Sequence, residues 1–366
     1  MKRRVLLILM ALVLVFGISA CKKKEEPKEE TKKETKKEVV EEPEEEEVVE
    51  PDAANTNTLT GLPTLTDGAI GKRPVAVMIN NAQAAMPQYG ISQADIIFEI
   101  PVEGDNTRLM ALYGDYTQVP KICPVRSLRA YFASYSEGFD AFMIHWGMDD
   151  TMQEYFDALG IERFDGISGA GGMFGRDEAK QAAGYALEHT GYVEGSMLPQ
   201  VLTSAGRRLD LAEDKKDNAF VFNKLDELIP ADGNSCNKAS INFGAQSATL
   251  NYDEASKTYK KDMNGSPQMD SVTNEQLAFT NVLILETQIS VRDEVGHKEV
   301  VWDGGGTGNA TGYYISGGKI QKIFWSKDAN NEKSRIHLFD ENHNTLKINR
   351  GKTYIAVNYA NRGTFE

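Results

Sequence analysis

Nine side chains carry most of the chemistry legible in this chain: Glu99, Glu103, Arg108, Arg126, Arg129, His145, Arg176, Asp177 and His189. Guanidinium groups grip carboxylate and phosphate oxygens two at a time. The turn at 124–129 brings Arg126 and Arg129 beside a predicted helix start, a place suited to holding an anion. Glu99 and Glu103 offer a second chemistry, since paired carboxylates can act as acid and base on a glycosidic bond. A third reading is a network of ion pairs that locks sheet to helix. Carboxylates among several arginines are better charge partners than proton shuttles, so an anion-binding pocket ranks above hydrolysis, level with the structural network. His145 ends a predicted strand, a common place for functional side chains in α/β sheets and an equally common place for a satisfied structural histidine.

Other motifs fail their own tests. His145, His189, His297, His337 and His343 form no H-E-x-x-H or comparable spacing, so no metal site is predicted, and Asp149-Asp150 alone is weak evidence for a cation. The glycine-rich stretch 166–177 lacks the Gly-Lys-Ser/Thr of a phosphate loop, and Phe174 stands where a dinucleotide fingerprint needs glycine. It reads as a flexible loop, a lid over the arginine pocket. Gly166-Ile167-Ser168-Gly169-Ala170 lacks the final glycine of a nucleophile elbow. Ser235-Cys236-Asn237-Lys238 spells S-x-x-K without the companion motifs of that chemistry. No cofactor is predicted.

The elements that must position these residues follow from periodicity. The continuous apolar run at 74–79 and the apolar-rich stretches at 94–100, 109–113 and 140–146 read as buried strands. Residues 127–138 have helical spacing, with Ser127 as cap and Gly138 as stop. Further helices are predicted over 152–159, 177–189 and 197–209. Beyond about residue 235 the pattern changes to short strand-like runs separated by turn signals such as Asn264-Gly265 and Gly317-Gly318. The fold class is therefore α+β: a mixed α/β N-terminal domain (55–215) in a layered sandwich, then a mostly β C-terminal domain (216–366).

The amino terminus determines where such a body works. Lys2, Arg3 and Arg4, a short apolar run and Ile18-Ser19-Ala20-Cys21 describe a secretory signal over residues 1–20. The apolar run is too short to span a bilayer. Its ending on Cys21 resembles a bacterial lipobox, in which that thiol receives a diacylglyceryl anchor. Residues 22–51 hold 8 Lys and 13 Glu with prolines between them and no apolar stripe, a tether (21–54) of roughly 30 Å end to end. The expectation is a lipid-anchored protein on the extracytoplasmic face of the cell membrane. Of the formal charge of −14, the signal carries +3 and the tether −5, leaving −12 for the body. That argues against nucleic acid and other polyanions as partners unless a local basic pocket exists. Cys123 and Cys236 remain either as a disulfide or as two buried thiols.

Several stretches together carry a resemblance to a known family. Lys72 to Asn81, Gly90 to Glu99, Thr107 to Ala111 and Pro124 to Arg129 resemble the opening of YerB-like lipoproteins of Gram-positive bacteria. Tyr252-Asp253, Tyr259, Asn264-Gly265, Ile323 to Lys327 and Gly351 to Ile355 follow in that family's order. The resemblance spans about residues 60–358 and implies two consecutive domains of unknown biochemical function on a lipid anchor, in a layered sandwich of sheets and helices. Arg108, Arg126, Arg129 and Arg176 match the family pattern. The chain departs from it at Asp105-Asn106, at Cys123, where the family usually has Gly, and at Lys180 and Thr190. A non-catalytic binder of an anionic envelope ligand such as a cell-wall fragment, or of a partner protein, is the reading this combination suggests, with a glycan or peptide hydrolase using Glu99 and Glu103 as the alternative.

Overall fold

The apolar runs of the first half become strands buried on both faces, as expected for parallel strands covered on each side. In the computed structural model, which describes residues 52–366, β1 (Val75–Asn80), β2 (Ile96–Pro101) and β3 (Thr107–Tyr113) are buried throughout. The signal, Cys21 and almost all of the charged tether lie outside the described residues. There follow β4 (Lys121–Ile122), α1 (Ala130–Glu137), β5 (Phe142–His145), α2 (Gln153–Leu159), β6 (Arg163–Asp165), β7 (Phe174–Arg176), α3 (Glu178–Ala182), β8 (Gly191–Glu194) and α4 (Leu198–Ser204). The second half supplies β9 (Asn234–Ser235), β10 (Lys238–Asn242), β11 (Ser247–Asp253), β12 (Thr258–Met263), β13 (Ser266–Pro267), β14 (Ala278–Phe279) and β15 (Asn281–Glu286). It continues through β16 (Ile289–Val291), β17 (Lys298–Val300), β18 (Ala310–Ser316), β19 (Lys319–Ser326), β20 (His337–Phe339), β21 (Thr353–Asn358) and β22 (Gly363–Phe365). No described residue after 204 is in an α-helix.

One sheet joins the two halves. Its order is β20-β19-β18-β15-β21-β2-β3-β1-β5-β6, with β9 added on β19. The junction is a parallel pairing of β2 with β21, in which Phe98 lies opposite Ile355. Residues 51–366 accordingly form one compact unit. A second sheet, β13-β12-β11-β10-β22, and a small sheet, β4-β8-β7, supply further layers.

Alternation along the central strands divides the core in two. Val77, Ile79, Ile97, Leu109 and Ala111 face one way, onto Leu250 and Tyr259 of the second sheet and Leu198 and Leu202 of α4. Met78, Phe98, Met110 and Leu112 face the other way, onto Tyr131, Phe132 and Tyr135 of α1 and Phe156 of α2. The result is a layered α+β sandwich with helices α1 and α2 on one side and mostly sheet on the other.

Helix ends differ from expectation. The cap of α1 lies two residues later than predicted, at Arg129, with no side-chain cap bond, and the helix stops at Gly138 as expected. The helix predicted over 177–189 is only α3, because the chain turns at Gly184 (φ +81°) and re-enters a single 3-10 turn at Leu187–His189. The helix predicted over 197–209 ends at Ser204, just before Gly206 with its positive φ. Cys123 and Cys236 are both buried and unpaired, so the structure contains the two thiols rather than the disulfide.

Candidate functional site

Strand direction gathers the polar residues at one end of the central sheet. β1, β2, β5, β6, β15 and β21 all run the same way, since each neighbouring pair among them is parallel or related through antiparallel β3. Their carboxyl ends therefore lie together, where open α/β sheets commonly place ligands. Glu103, Arg126, Asp149 and Asp165 follow or border those ends, and Arg108 sits at the amino end of β3, on the same edge. Within this edge the nine candidates separate into groups of different character.

Glu99 is not part of an arginine pocket. It continues the Ile97 face, opposite to the face that Arg108 shares with Met110 and Leu112. Its Oε2 lies 3.0 Å from Nζ of Lys261 on β12, and both side chains are fully buried. Asn81 Nδ2 and Thr107 Oγ1 donate to its Oε1 at 3.0 and 2.7 Å, and the Tyr354 hydroxyl donates to its Oε2 at 2.8 Å. Lys261 also donates to Gln268 Oε1 at 2.6 Å. Burial, reinforced by the Glu99 charge, pushes the Tyr354 hydroxyl well above the usual phenol range. Glu99 is thus a fully partnered ion-pair member sealed between two sheets, and acid–base work with Glu103 is closed to it. Lys261 escaped the sequence reading, although Tyr259, Lys261 and Met263 alternate on the inward face of β12. A lysine in the inward register of a strand is the signal that would have found it.

Glu103, Arg108 and Arg129 form a second, also well-partnered group. The Glu103 carboxylate accepts from Arg129 Nε at 2.5 Å and from Arg108 Nη2 at 3.2 Å. Arg108 Nη1 donates to the Ser127 carbonyl at 2.7 Å, and Arg129 Nη1 to the Leu128 carbonyl at 2.8 Å. Burial raises the Glu103 pKa, yet the Arg129 hydrogen bond and the two guanidinium charges outweigh it and hold the carboxyl below its ordinary value. The β16–β17 hairpin covers this group. His297 lies 3.9 Å from Glu103, donates from Nδ1 to Asp293 Oδ2 at 2.7 Å, and stands 3.6 Å from Asp149. The ligand atoms of Asp149, Asp293 and His297 fall within 4.8 Å of one another, a convergence that sequence spacing did not reveal. Arg292 already places a guanidinium there, paired with both Asp149 and Asp293.

The third group is the one whose charge is least closely paired. Arg126 makes no side-chain hydrogen bond among the described residues, and its ion contact is with Glu188 Oε1 at 3.6 Å. Arg176 stacks over the Trp146 ring at 4.0 Å and donates to the Leu187 carbonyl at 2.6 Å. Burial lowers its pKa, and the neighbouring Arg126 charge lowers it further, so the two guanidinium groups feel each other. His189 Nδ1 is 2.9 Å from Asn80 Nδ2, and its Nε2 is 3.9 Å from Glu188. Burial is the main reason its pKa falls below the ordinary histidine value, which leaves it neutral at pH 7. Trp146 is held in place by two glycines: a Cβ on Gly166 or Gly191 would come within 2.6 or 2.7 Å of its indole. The 166–177 stretch is therefore in part a platform, since it contributes both Gly166 and, through β7, Arg176.

The remaining candidates are structural. His145 is fully buried, with Nδ1 2.9 Å from the Gly147 carbonyl and no partner for Nε2 among the described residues. Burial lowers its pKa and keeps the ring neutral. Asp177 caps α3 by accepting from the Lys180 amide at 2.9 Å and also accepts from the Tyr89 hydroxyl at 2.7 Å. A cleft of about 310 Å³ borders the Glu99–Lys261 group through Gln268, the acceptor of the Lys261 hydrogen bond, and is otherwise lined by Gln83, Met86, Pro87, Met263 and Met269 among others, with no titratable side chain.

Comparisons with known proteins agree with this architecture. Residues 59–208 match the N-terminal domain, and residues 239–355 the C-terminal domain, of a protein family of unknown function, DUF3048. A Bacillus subtilis (strain 168) protein named "Putative lipoprotein YerB" is 29% identical over 255 residues, which cover 68% of this chain and 72% of that protein. The crystal structure of YerB protein from Bacillus subtilis superposes with a TM-score of 0.72 at 24% identity, covering 87% of this chain and 100% of the other, and so shares the fold. With both family domains matched in order and the fold shared, the chain belongs to the DUF3048 family.

Proposed function

We propose that this protein is a lipid-anchored component of the outer face of the cell membrane that binds an anionic ligand through Arg126 and Arg176 without transforming it. The anchor rests on the lipobox-like Cys21 and on the name of the Bacillus subtilis relative. Among the described residues no helix is long and apolar enough to cross a membrane. The observation that carries the binding reading is Arg126, a side chain 28% exposed beside a second guanidinium, with no hydrogen bond to its own side chain. A guanidinium offers five donors, and a carboxylate or phosphate is the group that uses them in pairs. The reading is non-catalytic because the two carboxylates best placed for acid–base work are already committed, Glu99 to Lys261 and Glu103 to Arg108 and Arg129.

Two experiments test it. Cys21→Ser should release the protein from the membrane fraction, and retention there would sink the anchor. Arg126→Ala should weaken binding of carboxylate or phosphate probes at least about tenfold with little change in the unfolding midpoint. Unchanged binding in that variant would show that the anion site lies elsewhere.

A further inference from the structure

The Arg126–Arg176 site already contains an anion, and that anion belongs to the protein. Glu188 Oε1 lies 3.6 Å from Arg126 Nη2 and 3.9 Å from His189 Nε2, too far for a hydrogen bond to either. The backbone of its 3-10 turn is fastened at several points. The Leu187 carbonyl accepts from Arg176 at 2.6 Å and from Thr190 Oγ1 at 2.8 Å, and the Glu188 carbonyl accepts from Asn80 Nδ2 at 3.5 Å. Among the described residues the Glu188 side chain, 53% exposed, has one long ion contact, to Arg126, and otherwise approaches only the neutral His189 ring. A fixed backbone carrying a loose carboxylate can hand its place to another carboxylate at little cost.

The surroundings describe the rest of the ligand. Leu187 is 59% exposed and precedes the competing carboxylate, while Ile167, 72% exposed, follows Gly166, which packs on Trp146. Apolar side chains left in water on segments that hold a cationic centre favour a molecule that ends in a carboxylate and carries an apolar body. The free C-terminus of a peptide is the plainest case of that chemistry.

We infer that Glu188 is a built-in competitor, and that the ligand is a carboxylate on an apolar carrier which displaces it. This rests on the binding reading above and adds the ligand class and the residue that limits affinity. Displacement would swap a long ion contact for paired guanidinium–carboxylate hydrogen bonds. It would also make apparent affinity depend on the strength of the Glu188 contact.

The test uses the full-length protein and three probes: N-acetyl-trialanine with a free carboxylate, the same peptide as its C-terminal amide, and inorganic phosphate. Binding is followed by calorimetry or by shifts of the Trp146 indole resonance. The free acid should bind and the amide should not. Glu188→Gln should tighten the free acid roughly two- to fivefold, the range expected on removing an exposed ion pair, and Glu188→Asp should restore weaker binding. If Glu188→Gln leaves affinity unchanged or lowers it while Arg126→Ala still abolishes binding, the competitor is disproved and the anion site survives. Phosphate binding more tightly than the free acid would overturn the carboxylate class. If no probe binds either the wild type or a folded Glu188→Gln variant, both the competitor and the binding reading fall.

Discussion

The Glu99–Lys261 pair and the Arg126–Arg176 pair hold charge in opposite ways. Around Glu99 every oxygen has partners, both charges are sealed from water, and the bonds run between strands of two sheets. Around Arg126 the charges are of one sign, partly open, and answered only by a distant carboxylate. Breaking a buried pair leaves an uncompensated charge, which is costly, whereas exposed contacts contribute little. The difference teaches that a cluster of charged residues becomes a candidate site through the partners it lacks.

The comparison is broken or sharpened first by stability. Lys261→Ala strands the Glu99 carboxylate and should cost about 3–5 kcal/mol in urea unfolding. Replacing both members with apolar residues, Glu99→Leu with Lys261→Met, should recover most of that loss. A cost under about 1 kcal/mol for Lys261→Ala would erase the distinction drawn here. Next, Arg129→Ala removes charge-assisted bonds from Glu103 and should cost about 1.5–3 kcal/mol by the same measurement. Gly191→Ala forces a Cβ against the Trp146 indole. It should cost about 1–3 kcal/mol and shift the tryptophan fluorescence, since Arg176 loses its stacking surface.

Acid should act on the histidines before the carboxylates. The folded pKa of His145 is lowered by burial, so the stability it contributes is complete above its unfolded value near 6.5 and is lost as pH falls below it. The carboxyl of Glu103 is likewise depressed, the arginines outweighing burial, so its share is complete above about pH 4.3 and disappears as pH falls through the folded value. Chemical unfolding from pH 7 down to pH 3 should show the first loss flattened in His145→Gln and the second in Glu103→Gln. A wild type equally stable at pH 7 and pH 5 would contradict the first assignment. The smallest effect belongs to Arg126→Ala, expected within about 0.5 kcal/mol of wild type.

Much of the framework was legible because it is apolar. Val75 to Ile79, Ile96 to Ile100 and Phe142 to Ile144 read as buried strands because they are short, rich in apolar and β-branched or aromatic residues, and bounded by turn signals. The predicted face shared by Arg108, Met110 and Leu112 is the observed one. What was hidden depends on residues far apart in sequence. No local pattern announces that Lys261 meets Glu99, that Asp149 meets Arg292, or that β21 inserts beside β2. Helix lengths failed at Gly184 and Gly206, where positive φ ends a pattern whose periodicity runs on. Of the nine candidates, Arg126, Arg176 and His189 keep a possible ligand role because the fold leaves them under-partnered. Sequence alone does not reveal that quantity.

The pairing of β2 with β21 also sets an order of events in time. Chains are made from the amino end, and Thr353–Asn358 emerges after every other strand of this sheet. Until it arrives, β2 exposes an unpaired edge carrying Ile96 and Phe98, the kind of template that invites pairing between chains. A chain ending at residue 215 would keep that edge permanently. The middle of the sheet therefore closes only when the whole body is present, a non-local topology associated with slow folding. Shielding of the unfinished edge, by a chaperone or by rapid completion, becomes a requirement of this architecture.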